Sequence, residues 1–172
     1  MLRPRIIPCL LVHEGGLVKT VGFGSPKYVG DPITAVRIFN EKEVDELIVL
    51  DIDATVRKRE PDYTMIANLA AECRMPLCYG GGVRTAEQIE RIVNLGVEKA
   101  LARHVRGAIT RPMTVLGGAG SLKDVGDLVR EFGIVGAAAG SLFVFKGVYR
   151  AVLINYPNRA AKDELVAAAR SA

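Results

Sequence analysis

The chain has 172 residues, of which 49% are hydrophobic and 24% charged, with a formal charge of +4. That balance excludes intrinsic disorder and fits one soluble globular domain over residues 1–172; the scattered basic residues include no run of five, so nucleic acid is not an expected partner. The apolar stretch from Ile6 to Val12 is too short to span a membrane. The three cysteines, Cys9, Cys73 and Cys78, have only His13 and His104 as possible co-ligands and lack metal or redox spacing. They predict reduced thiols in a cytoplasmic protein with no metal and no cofactor.

In chain order, the first apolar run, Arg5–Leu11, predicts a strand, and Gly15-Gly16-Leu17-Val18-Lys19-Thr20 a glycine-containing loop after it. Asp31-Pro32 supplies a cap and a first-turn proline for a helix through Ile33 and Val36. Glu46–Ile52 is the second strand, and Pro61 opens a helix with Ile66, Leu69, Ala70 and Cys73 on one face. Pro76–Tyr79, Glu98–Ala102, Pro112–Leu116 and Ile134–Ala139 complete six apolar runs of the kind found in parallel strands covered on both faces. Thr85-Ala86-Glu87-Gln88 and Ser121-Leu122-Lys123-Asp124 read as capping boxes, with Gly96 and Gly133 at helix ends. Strand and helix alternate, which predicts an α/β protein with a parallel sheet.

An internal repeat narrows the fold. Gly80-Gly81 is followed sixteen residues later by Gly96, and Gly117-Gly118 at the same distance by Gly133. Each glycine pair ends a strand and precedes a capped helix. Duplicated βα units favour a repeating barrel over a doubly wound sheet.

The strand-end glycines carry the chemistry. Glycine lets backbone approach a ligand, and the following helix aims free N–H groups at it, which suits phosphate on the C-terminal face of a (βα) barrel. Gly117-Gly118 and Gly140-Ser141, on consecutive units, form one such candidate cradle. Leu50-Asp51-Ile52-Asp53 places two carboxylates at a strand end. Strand alternation predicts that both lie on one face, where Asp51 serves as an acid or base or binds a substrate hydroxyl. A helix cap is the structural alternative. Lys19 is placed to close over a phosphate.

These residues resemble the cyclase subunit of imidazole glycerol phosphate synthase. The likeness lies in Arg5-Ile6-Ile7-Pro8-Cys9-Leu10, Gly30-Asp31-Pro32, Asp45-Glu46-Leu47, Leu50-Asp51-Ile52 and Gly80-Gly81-Gly82, and resumes in Leu116-Gly117-Gly118-Ala119-Gly120 and Ala139-Gly140-Ser141-Leu142-Phe143. It implies a TIM-barrel-like fold and a lyase of histidine biosynthesis. That enzyme takes ammonia from a glutaminase subunit and cyclises a phosphoribulosyl-formimino-aminoimidazole carboxamide ribonucleotide to imidazole glycerol phosphate. By position, Arg5, Glu46 and Lys99 resemble an ammonia gate, Lys19 a loop lysine and Asp51 a substrate-contacting acid. Gly81 and Gly82 fall at one phosphate site, and Gly117, Gly118, Gly140 and Ser141 at the other.

Two departures from the family stand out. The family's first catalytic aspartate is Leu11 here, as in divergent relatives associated with surface-polysaccharide gene sets. A barrel of this kind also runs to about 250 residues, so roughly 80 are missing, between about 100 and 111. The expectation is an incomplete barrel of about six βα units, completed by self-association and with little or no turnover. The alternatives are a non-catalytic ammonia-channel partner of a glutaminase, or a self-associating fragment that binds a phosphorylated ligand.

Overall fold

The computed structural model describes residues 4–21, 24–101, 114–116, 121–132, 136–146 and 151–170. Strand β1 (Arg5–His13) leads through a tight turn into a hairpin of β2 (Gly16–Val21) and β3 (Gly24–Gly30). Helix α1 (Pro32–Glu41), strand β4 (Leu47–Asp51), the short helix α2 (Ile52–Val56) and helix α3 (Tyr63–Glu72) follow. Next come β5 (Leu77–Gly80), α4 (Ala86–Asn94), β6 (Lys99–Leu101), β7 (Thr114–Leu116), α5 (Leu122–Phe132) and β8 (Gly136–Ala139). The chain closes with α6 (Ser141–Val144), a ribbon of β9 (Phe145–Lys146) and β10 (Ala151–Val152), and α7 (Arg159–Arg170). No helix among the described residues is long and apolar enough to cross a membrane.

The six expected runs all form strands. They pair in parallel in the order β7-β8-β1-β4-β5-β6. Among the described residues β6 and β7 do not pair, so the sheet is an open, incomplete barrel. The helices start where the caps predicted. The Asp31 carboxylate accepts from Thr34 N–H, Thr85 and Gln88 form a reciprocal capping box, and Ser121 and Asp124 exchange the equivalent pair of bonds. Gly96 follows α4 at φ +97°, the left-handed conformation that ends a helix, whereas Gly133 lies outside the described residues.

Two apolar layers sandwich the sheet. One face carries Ile6, Leu10, Val12, Leu47, Val49, Leu77 and Tyr79, packed against Val36 and Phe39 of α1, Ile66 and Leu69 of α3 and Ile92 of α4. The opposite face is smaller: Ile7, Cys9, Ile48, Cys78 and Ala138, with Leu11 and Leu50 at its margin. Alternation along β1 therefore turns the odd-numbered residues toward the inside of the incomplete barrel.

One expected loop is not a loop. Lys19 sits in strand β2, because β2 and β3 pair antiparallel and β2 also pairs with the end of β1. The turn from β1 uses Glu14 and Gly15 at φ +50° and +80°, a hairpin geometry.

Candidate functional site

At the N-terminal end of the strands, Arg5 opens β1, Lys99 opens β6 and Glu46 directly precedes β4. The structure brings all three together. Arg5 Nη1 donates to Glu46 Oε2 at 2.7 Å, and Lys99 Nζ lies 2.7 Å from both Glu46 oxygens. The Glu46 side chain is 2% exposed, whereas those of Arg5 and Lys99 are 50% and 46% exposed. A buried carboxylate is thus neutralised by two cations whose stems reach out to solvent, which is how a buried charge avoids a large desolvation cost. Cys78, in register with Lys99, is on the inner face beyond the cluster. Burial, reinforced by the Glu46 charge, pushes its thiol up to about 12.

At the C-terminal end, Leu11 and Leu50 are paired in register, and Leu50 is paired with Gly80. This level of the sheet, where the resemblance expects an aspartate on β1, presents two leucines and a glycine. Asp51 ends β4 and does not share a strand face with Asp53, because α2 starts at Ile52. Asp51 Oδ1 accepts from the N–H groups of Asp53 and Ala54 at 2.9 and 3.0 Å, capping α2. Its side chain is 6% exposed, and among the described residues the cation paired with it is Arg59, 3.9 Å away.

Gly81 and Gly82 follow β5 at φ +129° and +70°. A Cβ on Gly81 would stand 2.5 Å from the Asp51 carbonyl oxygen, and one on Gly82 2.7 Å from that of Arg59. Both positions therefore require glycine, to let this loop lie against the β4–α2 connection. Gly82 N–H donates to Thr55 Oγ1 at 3.4 Å.

Lys19, Gly140 and Ser141 line a common cavity of about 150 Å³ between the hairpin and the ends of β1 and β8. It is smaller than the roughly 300 Å³ of an ordinary small-ligand pocket, and Leu10, Leu11, Leu17, Val18, Val29 and Val144 make much of its wall apolar. The Lys19 ammonium stands 4.2 Å from the centre of the Phe145 ring. Gly117 and Gly118, the other half of the expected cradle, lie outside the described residues.

The structure also assembles a pair that the sequence reading did not assign. His13 Nδ1 and Asp53 Oδ1 are 2.7 Å apart, Glu14 N–H donates to Asp53 Oδ2 at 2.8 Å, and Arg57 pairs with Glu14 at 2.6 Å. Burial alone would raise the Asp53 carboxyl. The Glu14 N–H, the His13 ring and the Arg57 charge outweigh it and hold Asp53 below the usual carboxylate range. The available signal was a histidine two positions beyond Leu11, hence on the same strand face. Among the described residues no cluster of three or more His, Cys, Asp or Glu is arranged to hold a metal ion.

Comparison with known proteins agrees with this architecture. Residues 5–102 match the family model of the histidine biosynthesis proteins. The chain is 39% identical to a protein of Leptospira borgpetersenii provisionally named imidazole glycerol phosphate synthase subunit HisF, over 252 positions covering 96% of this chain and 99% of that one. A likewise named protein of Vibrio vulnificus is 40% identical over 251 positions, covering 95% and 96%. The imidazole glycerol phosphate synthase subunit HisF of Streptococcus sanguinis is 40% identical over 99 residues, 58% of this chain and 39% of that one. Aligning 172 residues across 252 positions leaves at least 80 positions of the Leptospira alignment facing no residue of this chain. With its parallel, unclosed sheet and a family model covering more than half its length, the chain belongs to the histidine biosynthesis protein family, as a shortened HisF-like TIM-barrel member.

Proposed function

We propose that this chain is a cyclase-subunit-like protein, cytoplasmic and folded as one domain over residues 1–172, that binds a phosphorylated small molecule and has little or no cyclase turnover. The observation that carries this reading is the level of Leu11, Leu50 and Gly80, where no side chain can exchange a proton. Asp51 is engaged by two backbone N–H groups and serves α2. Ligand binding is supported by the cavity shared by Lys19, Gly140 and Ser141, and by the Gly81-Gly82 turn. The gap between about 100 and 111 removes the units that would carry the second catalytic aspartate. Titration calorimetry with a bis-phosphorylated sugar analogue tests the binding half. Saturable binding weakened by K19A supports it, and no heat at millimolar ligand contradicts it.

A second reading is favoured by one observation, the intact Arg5–Glu46–Lys99 cluster. An ammonia gate needs those charges at the strand N-termini, whereas cyclase chemistry needs the opposite face. In this reading the chain docks on a glutaminase subunit and conducts ammonia without acting on a nucleotide. Co-purification with a glutaminase, abolished by E46K, supports it; a glutaminase that elutes separately contradicts it.

A further inference from the structure

The C-terminal mouth has lost the acid expected at Leu11, yet an imidazole–carboxylate pair stands two residues farther along the same face of β1. His13 Nδ1 lies 2.7 Å from Asp53 Oδ1. A carboxylate only accepts, so Nδ1 is the donor, and in the neutral ring the lone pair is on Nε2. The Asp53 side chain is 8% exposed and fixed by Glu14 N–H, so it holds the ring in one orientation, while the His13 side chain is 27% exposed. No hydrogen bond is made by Nε2 among the described residues. Two arginines stand beside the pair, each matched to carboxylates. Arg57 is bound to Glu14, and Arg59, 49% exposed, makes long ion pairs with Asp53 Oδ2 at 3.8 Å and Asp51 Oδ2 at 3.9 Å, beyond hydrogen-bond distance. The backbone of Arg59 is in turn the surface on which Gly82 rests. The base, the half-exposed guanidinium and the glycine turn are therefore all assembled on the single connection from β4 through α2.

We propose that His13, oriented by Asp53, is the proton-transfer group of this chain, acting on a phosphorylated small molecule whose phosphoryl group is met by Arg59 and the Gly81-Gly82 turn. In the step, the Nε2 lone pair takes a proton from the substrate, and the electron pair of the broken bond stays on the substrate. Asp53 balances the imidazolium. Return of the proton to the product restores the ring, so no oxidant or reductant is needed. A step of two residues along a strand is about 6.8 Å, so this group reaches different substrate atoms from an acid at Leu11 and does not restore the family's cyclisation. The substrate class rests on the phosphorylated-ligand reading above.

Ethoxyformylation of the full chain by diethyl pyrocarbonate, mapped to the His13 peptide by mass spectrometry, reads the Nε2 lone pair directly. At the alkaline rate limit, His13 is expected to react faster than free N-acetylhistidine, since the Asp53 bond at Nδ1 fixes the ring and leaves Nε2 presented for attack. D53N should remove that excess, and glycerol 3-phosphate should slow the wild-type reaction. A partly buried histidine with only a structural role would react more slowly than the free compound, and that result overturns the proposal without any variant. Fast reaction with no protection by glycerol 3-phosphate overturns the substrate class at His13, while calorimetry with the bis-phosphorylated analogue decides the ligand reading separately. Slow reaction while a bis-phosphorylated analogue still binds calorimetrically overturns the His13 role alone.

Discussion

The Tyr156 hydroxyl lies 2.8 Å from the Ile6 carbonyl oxygen, joining positions 150 residues apart. The same hydroxyl lies 2.9 Å from Asp45 Oδ2 and accepts from Asp45 N–H at 3.2 Å, while Asp45 also takes bonds from Ile6 N–H and Lys162 Nζ. Burial and then the Asp45 charge push the Tyr156 phenol up, so it stays a neutral donor. The segment after β10 thereby locks onto the central strand. Y156F leaves these polar groups short of a partner and is expected to cost about 1–3 kcal/mol, read by urea denaturation. A loss under half a kilocalorie would show that the lock contributes nothing.

The Arg5–Glu46–Lys99 cluster predicts an asymmetry between variants. Removing both cations strands a buried carboxylate, and R5A/K99A is expected to lose about 3–5 kcal/mol. E46Q leaves two half-exposed cations that water can solvate, so its loss should be clearly smaller. Equal losses in the two variants would contradict the burial argument.

Thiol reactivity should separate the cysteines. Burial first, and then the neighbouring Cys78, pushes the Cys9 thiol up to about 12, and Cys78 is raised to the same range. Because the thiolate is the reactive form, both should resist a disulfide reagent at pH 8 in the folded chain. Cys73, half-buried and also raised by burial, should react first. Rapid labelling of all three without denaturant would contradict the inner-face packing.

Self-association is expected from the open sheet. Among the described residues β6 pairs only with β5, and β7 only with β8. Unpaired strand edges are templates for a second copy. Light scattering at micromolar concentration should give a dimer or larger closed assembly, and a stable monomer would refute the open-edge argument.

Much of this architecture was legible in the sequence. The six apolar runs and the Asp31, Thr85 and Ser121 caps occupy the expected places, because periodicity and capping are local signals. The hairpin was not legible: the Glu14-Gly15 turn lacks the Asn-Gly signature, and the β3 residues Ser25 to Tyr28 are exposed, so no alternation marks the strand. Helix α2 escaped for a different reason. At five residues it is too short to show a helical period, so Asp53 read as a continuation of the strand. That error hid the His13–Asp53 pair, which forms only when the chain turns away from the sheet after Asp51.

The most direct test of the central claim is steady-state conversion of the phosphoribulosyl-formimino substrate by the full chain with ammonia as nitrogen donor. Loss of one positioned acid or base costs about 10²–10⁴-fold, and in the proposed reading Leu11 and the internal gap each stand in place of such a group. Turnover at or below the detection limit is predicted. A rate matching a full-length cyclase subunit would contradict the account and would mean that catalytic groups lie elsewhere in the mouth.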